Sequence, residues 1–253
     1  MRGLLSRVIP AVLVFTMPSL VFAGDLAAND YVGVTFWIIS IAMVASTVFF
    51  LVERDRVNPK WKTSLTVTAL VTLIAAVHYF YMRDVWVATG DSPTVFRYID
   101  WLLTVPLLMI EFYFILAAVT AVSVGIFWRL LIGTLVMLVG GYLGEAGIIS
   151  AMLGFIIGMA GWIYILYEIF AGEAAQKSES CGSAGAQMAF NACRTIVLVG
   201  LAIYPLGYLL GYLMGAADAA SLNLVYNLAD FVNKIGFGIF IWAAAVTDSE
   251  ESA

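Results

Sequence analysis

The chain has 253 residues, 63% hydrophobic and 11% charged, with a formal net charge of −5. Soluble domains carry about 25% charged residues, so this balance excludes an ordinary water-soluble enzyme and points to a chain whose solvent is a bilayer. No basic run is long enough to engage nucleic acid, and the two cysteines, Cys181 and Cys193, come with no metal-ligand spacing.

At about 20 apolar residues per span, the length holds seven membrane helices joined by short loops. Residues 1–23 carry Arg2 and Arg7, then an apolar stretch ending in Val21-Phe22-Ala23. That is the pattern of a secretory signal peptide cut before Gly24, leaving residues 24–253 as one seven-helix domain; a retained interfacial segment is the other reading. The first span, 31–52, has no charge. Arg54, Arg56, Lys60 and Lys62 follow as the densest basic cluster, which the positive-inside rule places in the cytoplasm. The second span, 61–82, holds the chain's single histidine, His78. Residues 83–93 end in the turn-forming Thr89-Gly90-Asp91-Ser92-Pro93 and are long enough for a small external hairpin.

The third and fourth spans are 94–119 and 125–142. Gly144-Glu145-Ala146-Gly147 reads as a tight external turn into the fifth, 148–170. Residues 171–187 are polar and rich in small side chains, which predicts a mobile cytoplasmic loop. The sixth span, 189–213, contains Pro205, and the seventh covers 221–247. Arg129, Lys177 and Arg194 join the inner basic residues, against Arg83 and Arg97 outside. The expected fold is therefore an all-α membrane protein, a seven transmembrane helix bundle with the N-terminus outside and the C-terminus cytoplasmic.

Two ionisable groups stand near the middle of the seventh span, Asp230 and Lys234. Their i,i+4 spacing puts both on one helix face. A lysine at the centre of a membrane helix costs roughly 2.5 to 3.5 kcal/mol on insertion scales. Two readings account for it. The pair is a buried structural ion pair, or the amine is used covalently, as a Schiff base to a carbonyl compound with Asp230 balancing the charge.

The third span brings a polar stripe. Arg97, Asp100, Thr104, Leu108 and Glu111 step by three, four, four and three, so they share one face. Asp100 and Glu111 are about 16 Å apart along the axis, around half a bilayer. Two carboxylates at two depths, with an arginine on the outer side, suit proton transfer. Asp100 beside a cation is a ready acceptor, and Glu111 in an apolar stretch is a ready donor. Taken singly, each has a plainer reading: Arg97 as an interfacial anchor, Thr104 bonded to its own helix, Pro106 as a kink, His78 as a satisfied membrane histidine.

Arg97-Tyr98-Ile99-Asp100-Trp101-Leu102-Leu103-Thr104-Val105-Pro106, together with Asp230-Phe231-Val232-Asn233-Lys234, resembles the microbial rhodopsins. Gly144-Glu145-Ala146-Gly147, Gly158-Met159-Ala160-Gly161-Trp162 and Asn223-Leu224-Val225-Tyr226-Asn227-Leu228-Ala229-Asp230 bring it nearest to the proteorhodopsins. The resemblance covers essentially the whole mature chain.

It implies all-trans retinal on Lys234 as a protonated Schiff base, in a light-driven outward proton pump of a bacterial inner membrane rather than an enzyme. A sensory photoreceptor of the same fold is the alternative. By position, Asp100 is the primary acceptor and counterion, Asp230 the second counterion and Glu111 the cytoplasmic donor. His78 is the partner of Asp100, while Arg97 and Glu145 mark the exit side. Trp101, Trp162, Tyr204, Pro205 and Tyr226 match residues around the chromophore. Leu108 occupies the colour-tuning position, where leucine goes with green absorption. Leu201 departs from the family pattern, which normally has a tryptophan packed over the retinal chain, and implies a looser pocket. Trp37 and His78 match a contact between neighbouring protomers and imply a homo-pentamer or hexamer.

Overall fold

The computed structural model describes residues 27–251. The predicted signal segment lies outside them. Seven stretches among the described residues are helical, long and apolar enough to cross a membrane.

The first, α1, is Tyr31–Glu53. It starts where the Asp30 carboxylate accepts the Gly33 N–H at 2.9 Å, filling one of the donors a helix start leaves open. A short 3-10 turn, Pro59–Trp61, leads into α2, Lys62–Thr89. Here the expected hairpin gives way to helix. Nothing between Arg83 and Val87 breaks the helical pattern, and the chain turns only at Gly90, whose φ of 70° is a left-handed value that glycine reaches without strain.

Helix α3, Thr94–Ala117, runs through Pro106. Helices α4, Val124–Glu145, and α5, Ala151–Phe170, are capped by Ser123 and Ser150. The predicted mobile loop after them is instead ordered helix: α6, Glu173–Glu179, and the start of α7, Ala184–Thr195. Arg129 of α4 is the reason. It donates to Glu168 at 2.8 and 3.0 Å and to Glu173 at 2.7 Å, fixing the α5–α6 corner. The sixth span continues from α7 through a π turn, Ile196–Gly200, into α8, Ile203–Tyr208, and a second π turn, Leu209–Leu213. The seventh consists of α9, Ala219–Asp230, a π turn Phe231–Ile235 and α10, Gly236–Glu251.

Consecutive spans pack side by side, and α9 returns to α1 to close the ring. The tightest pair is α4 with α5, where glycines let the backbones meet. A Cβ on Gly161 would stand 2.5 Å from the Met137 amide nitrogen. The bundle turns apolar side chains outward, as Ile38, Ile132, Ile156 and Val199 show. Arg97, Asp100, Glu111, Asn227, Asp230 and Lys234 are buried inside. This is the distribution a protein takes in lipid, where helices keep their backbone bonds internal and polar groups face the bundle.

At one end of the bundle Asp248 ties three segments together. Its Oδ2 accepts from the Trp61 indole at 2.9 Å and pairs with Lys60 at 2.7 Å, and its Oδ1 accepts from Ser183 at 3.3 Å. The neighbouring Ser249 hydroxyl accepts the Asn58 N–H at 2.8 Å.

Candidate functional site

The polar stripe of α3 faces the interior along its length: Arg97, Asp100, Thr104, Leu108 and Glu111 are each no more than 3% exposed. Opposite it stands the π turn that carries Lys234. The extra residue in that turn shifts the backbone register, a feature found often at functional sites. Lys234 Nζ reaches two carboxylates, donating to Asp100 Oδ2 and, at 3.0 Å, to Asp230 Oδ2. The i,i+4 pair of the seventh span is thus a three-membered cluster across two helices.

The two carboxylates are not equivalent. Asp230 also accepts from the Tyr204 hydroxyl at 2.5 Å, the Tyr79 hydroxyl at 2.8 Å and the Trp101 indole at 3.2 Å. Asp100 has Lys234 alone, and its Oδ1 has no hydrogen-bond partner among the described residues. Thr104 bonds the Asp100 backbone carbonyl at 2.8 Å rather than its carboxylate. Asp230 is therefore held on every side, while Asp100 keeps acceptor capacity.

Arg97 lies one turn before Asp100 and is buried, so it is no interfacial anchor. Its NH2 donates to Asn223 at 2.7 Å and Asn227 at 3.0 Å, and the guanidinium sits over the rings of Phe36, Trp101 and Tyr226. Glu111 lies at the other end of the stripe, with the Ser64 hydroxyl of α2 as its polar neighbour and no cation beside it among the described residues. Its chain neighbour Phe112 packs on Phe190 and Phe237. His78 is half-buried, and its Nδ1 stands 2.9 Å from the Ile74 carbonyl. No hydrogen bond joins it to Asp100 among the described residues.

A cavity of about 90 Å³ opens beside this cluster. Small-molecule sites are mostly apolar, with a few placed polar groups. Trp101, Trp162, Leu201, Tyr204 and Pro205 line it, as does Glu145 at the end of α4. Tyr226 lies behind the wall against Trp101 and Tyr204, and Leu108 is buried further along α3. Trp162 is pinned by its indole N–H on the Val197 carbonyl, inside the first π turn of the sixth span, at 3.2 Å. A Cβ on Gly200 would come within 1.9 Å of Asn233 Oδ1, so glycine there lets the sixth and seventh spans approach closely.

An apolar slot with aromatic walls, leading to an amine held between two carboxylates, fits a conjugated aldehyde. Trp101 and Tyr204 join the two parts, since both line the slot and both donate to Asp230.

Tyr79, Asn223 and Asn227 were not legible as site residues. The asparagines had a signal: Asn223, Asn227, Asp230 and Lys234 step by four, three and four, a stripe like that of the third span. Tyr79 had none.

The sequence profile of the family described as "Bacteriorhodopsin-like protein" matches residues 30–248. The chain is 60% identical over 230 residues to the green-light absorbing proteorhodopsin of Gamma-proteobacterium EBAC31A08, a match covering 90% of this chain and 92% of that protein. It is 56% identical over 239 residues to the blue-light absorbing proteorhodopsin of Gamma-proteobacterium Hot 75m4, covering 93% and 95%. The crystal structure of blue light-absorbing proteorhodopsin from Med12 superposes with a TM-score of 0.75 at 54% identity, covering 86% of this chain and 99% of that one.

Proposed function

We propose, from the premise that this chain belongs to the bacteriorhodopsin-like family, that it is a light-driven proton pump working outward across a bacterial inner membrane, with all-trans retinal on Lys234. Retinal, when bound there, supplies the visible absorption and a light-triggered change of shape at the Lys234 nitrogen. The observation that carries the reading is the inequality of the two carboxylates around that nitrogen.

Asp230 serves as a fixed counter-charge. Its several donors stabilise the ionised form, so giving it a proton would leave buried donors unmatched. Asp100 touches the same nitrogen and has an oxygen with no protein partner, so it takes the proton from Lys234 Nζ. Glu111 has no cation beside it, and an uncompensated charge in an apolar interior is strongly disfavoured, so it rests neutral and supplies the proton that returns to Lys234 Nζ. Arg97, boxed by aromatic rings on the other side of Asp100, holds positive charge on the exit path. Thr104 orders the α3 backbone beneath Asp100.

Direction follows from orientation. Arg54, Arg56, Lys60 and Lys62 lie at the end of the bundle opposite Arg83, which makes theirs the cytoplasmic end and puts the N-terminus outside. Glu111 then faces the cytoplasm and Asp100 the exterior. Green absorption, from Leu108, and a ring of five or six protomers, from Trp37 and His78, belong to the same proposal through the likeness to the proteorhodopsins.

Illumination of cells making the protein with retinal should acidify the medium, and a protonophore should abolish the signal. Lys234→Ala should be colourless and silent. A visible pigment whose illumination leaves the medium pH unchanged would move the chain to the photosensors.

A further inference from the structure

Among the described residues, Glu145 is the one charged side chain in the wall of an otherwise apolar cavity. The remaining polar groups of that wall are already engaged. Tyr204 and Trp101 donate to Asp230, Tyr208 donates to the Ala151 carbonyl at 2.8 Å, and Trp162 donates to Val197. Glu145 accepts the Tyr98 hydroxyl through Oε1 at 2.9 Å, and Tyr212 also faces it. A carboxylate has about four lone-pair sites, so one or two tyrosines leave it capacity. A carboxyl group set into an apolar ligand wall is costly unless something satisfies it.

Its place in the cavity says what that partner is. The Lys234 end is marked by Trp101 and Tyr204, both bonded to Asp230. Tyr98 packs edge-on against Trp101 with ring centroids 5.1 Å apart and points its hydroxyl on to Glu145. Glu145 closes α4 and Gly154 lies in α5, helices that pack on one another rather than on the seventh span, so they mark the side of the slot away from the lysine. A linear aldehyde tethered at Lys234 and extending along the slot brings its far end, the ring, to Glu145. Leu201 also lines the slot.

We propose that Glu145 is a specificity residue that recognises a hydroxyl group on the ring of the chromophore, so that the chain takes up ring-hydroxylated retinal in preference to retinal itself. The inference rests on the retinal reading above. An alcohol both donates and accepts, so it satisfies the carboxyl whether that group is ionised or neutral. A ring of bare hydrocarbon adds nothing to the bonds from Tyr98 and Tyr212. A site built to hydrogen-bond a ligand hydroxyl rejects the analogue without one far more strongly than an apolar pocket rejects an added group.

The test is competition on protein produced without chromophore. Equal amounts of retinal and 4-hydroxyretinal are added, and the bound aldehyde is extracted and identified by chromatography, alongside spectral titration with each alone. The native chain should favour the hydroxylated aldehyde by about tenfold, the scale of one hydrogen bond to a charged group. Glu145→Gln, which still accepts and donates, should keep most of that preference, and Glu145→Leu should abolish it. A ligand-side control needs no variant: 4-methylretinal, of equal bulk but without the hydroxyl, should gain nothing over retinal. Equal uptake of retinal and 4-hydroxyretinal by the native chain, or the same preference for the methyl analogue, would overturn the inference while leaving the pigment intact. Failure of every aldehyde to give a visible band would instead remove the retinal reading and this one with it.

Discussion

At the scale of single residues, the chemistry turns on how many partners each buried group has. Asp100 and Asp230 share one ammonium, yet four side chains donate to Asp230 and one to Asp100. Replacing Asp100 by Asn removes the acceptor and a negative charge beside the chromophore's cation. The absorption band should move to longer wavelength and light-driven acidification should stop; continued acidification would take Asp100 out of the acceptor role. Tyr79→Phe removes one donor from Asp230. A hydrogen bond to a charged group is worth about 1.5–3 kcal/mol, so the thermal midpoint of the purified protein should fall while the pigment still forms. The Asp230–Lys234 pair could be read from spacing alone, because the helical period fixes which side chains share a face. The Tyr79 contact could not, since it joins residues 151 positions apart and nothing local sets it.

At the scale of elements, the apolar runs told where helices lie but not where they stop. Helix α2 overruns its expected end because only Gly90 supplies a turn, and 171–187 carries helix, beginning at Glu173, because Arg129 supplies a long-range anchor for that residue. The π turns had no sequence signal, as an inserted residue costs nothing in hydropathy. Packing gives a sharp test at the α4–α5 contact. Gly161→Val adds atoms where a Cβ already meets the Met137 backbone, which cannot move aside as a side chain can. Overpacking costs roughly 1–3 kcal/mol, so this variant should unfold at lower temperature, and an unchanged midpoint would show that the two helices can part.

The start of α9 offers a pH test. Asp218 accepts the Ser221 N–H at 2.7 Å, which holds its carboxyl below the usual carboxylate range. A depressed folded-state value means the cap stabilises above about pH 3.9, and that contribution is lost as pH falls towards the folded-state value. Asn at 218 caps without titrating. The stability advantage of the native chain over Asp218→Asn should therefore shrink on acidification below about pH 4, and a difference independent of pH would rule out the linkage.

At the scale of the whole molecule, the seven-span bundle was the most legible feature. A chain with so few charges has nowhere to hide its backbone except in helices that satisfy themselves within lipid. The arrangement of spans around the cavity follows less directly. It depends on glycines that permit contact, on the closure of α9 onto α1, and on the Asp248 junction. That last feature bears on how the protein is assembled. Spans enter the bilayer in chain order, whereas Asp248 and Ser249 grip Asn58, Lys60 and Trp61, residues made near the beginning. The set is buckled only after the seventh span has been made, and a protease that clipped the chain ahead of Asp248 would unbuckle it. Amide exchange should then quicken first around 58–61 and 183–186, on the rim, while the colour deeper in the bundle outlasts it.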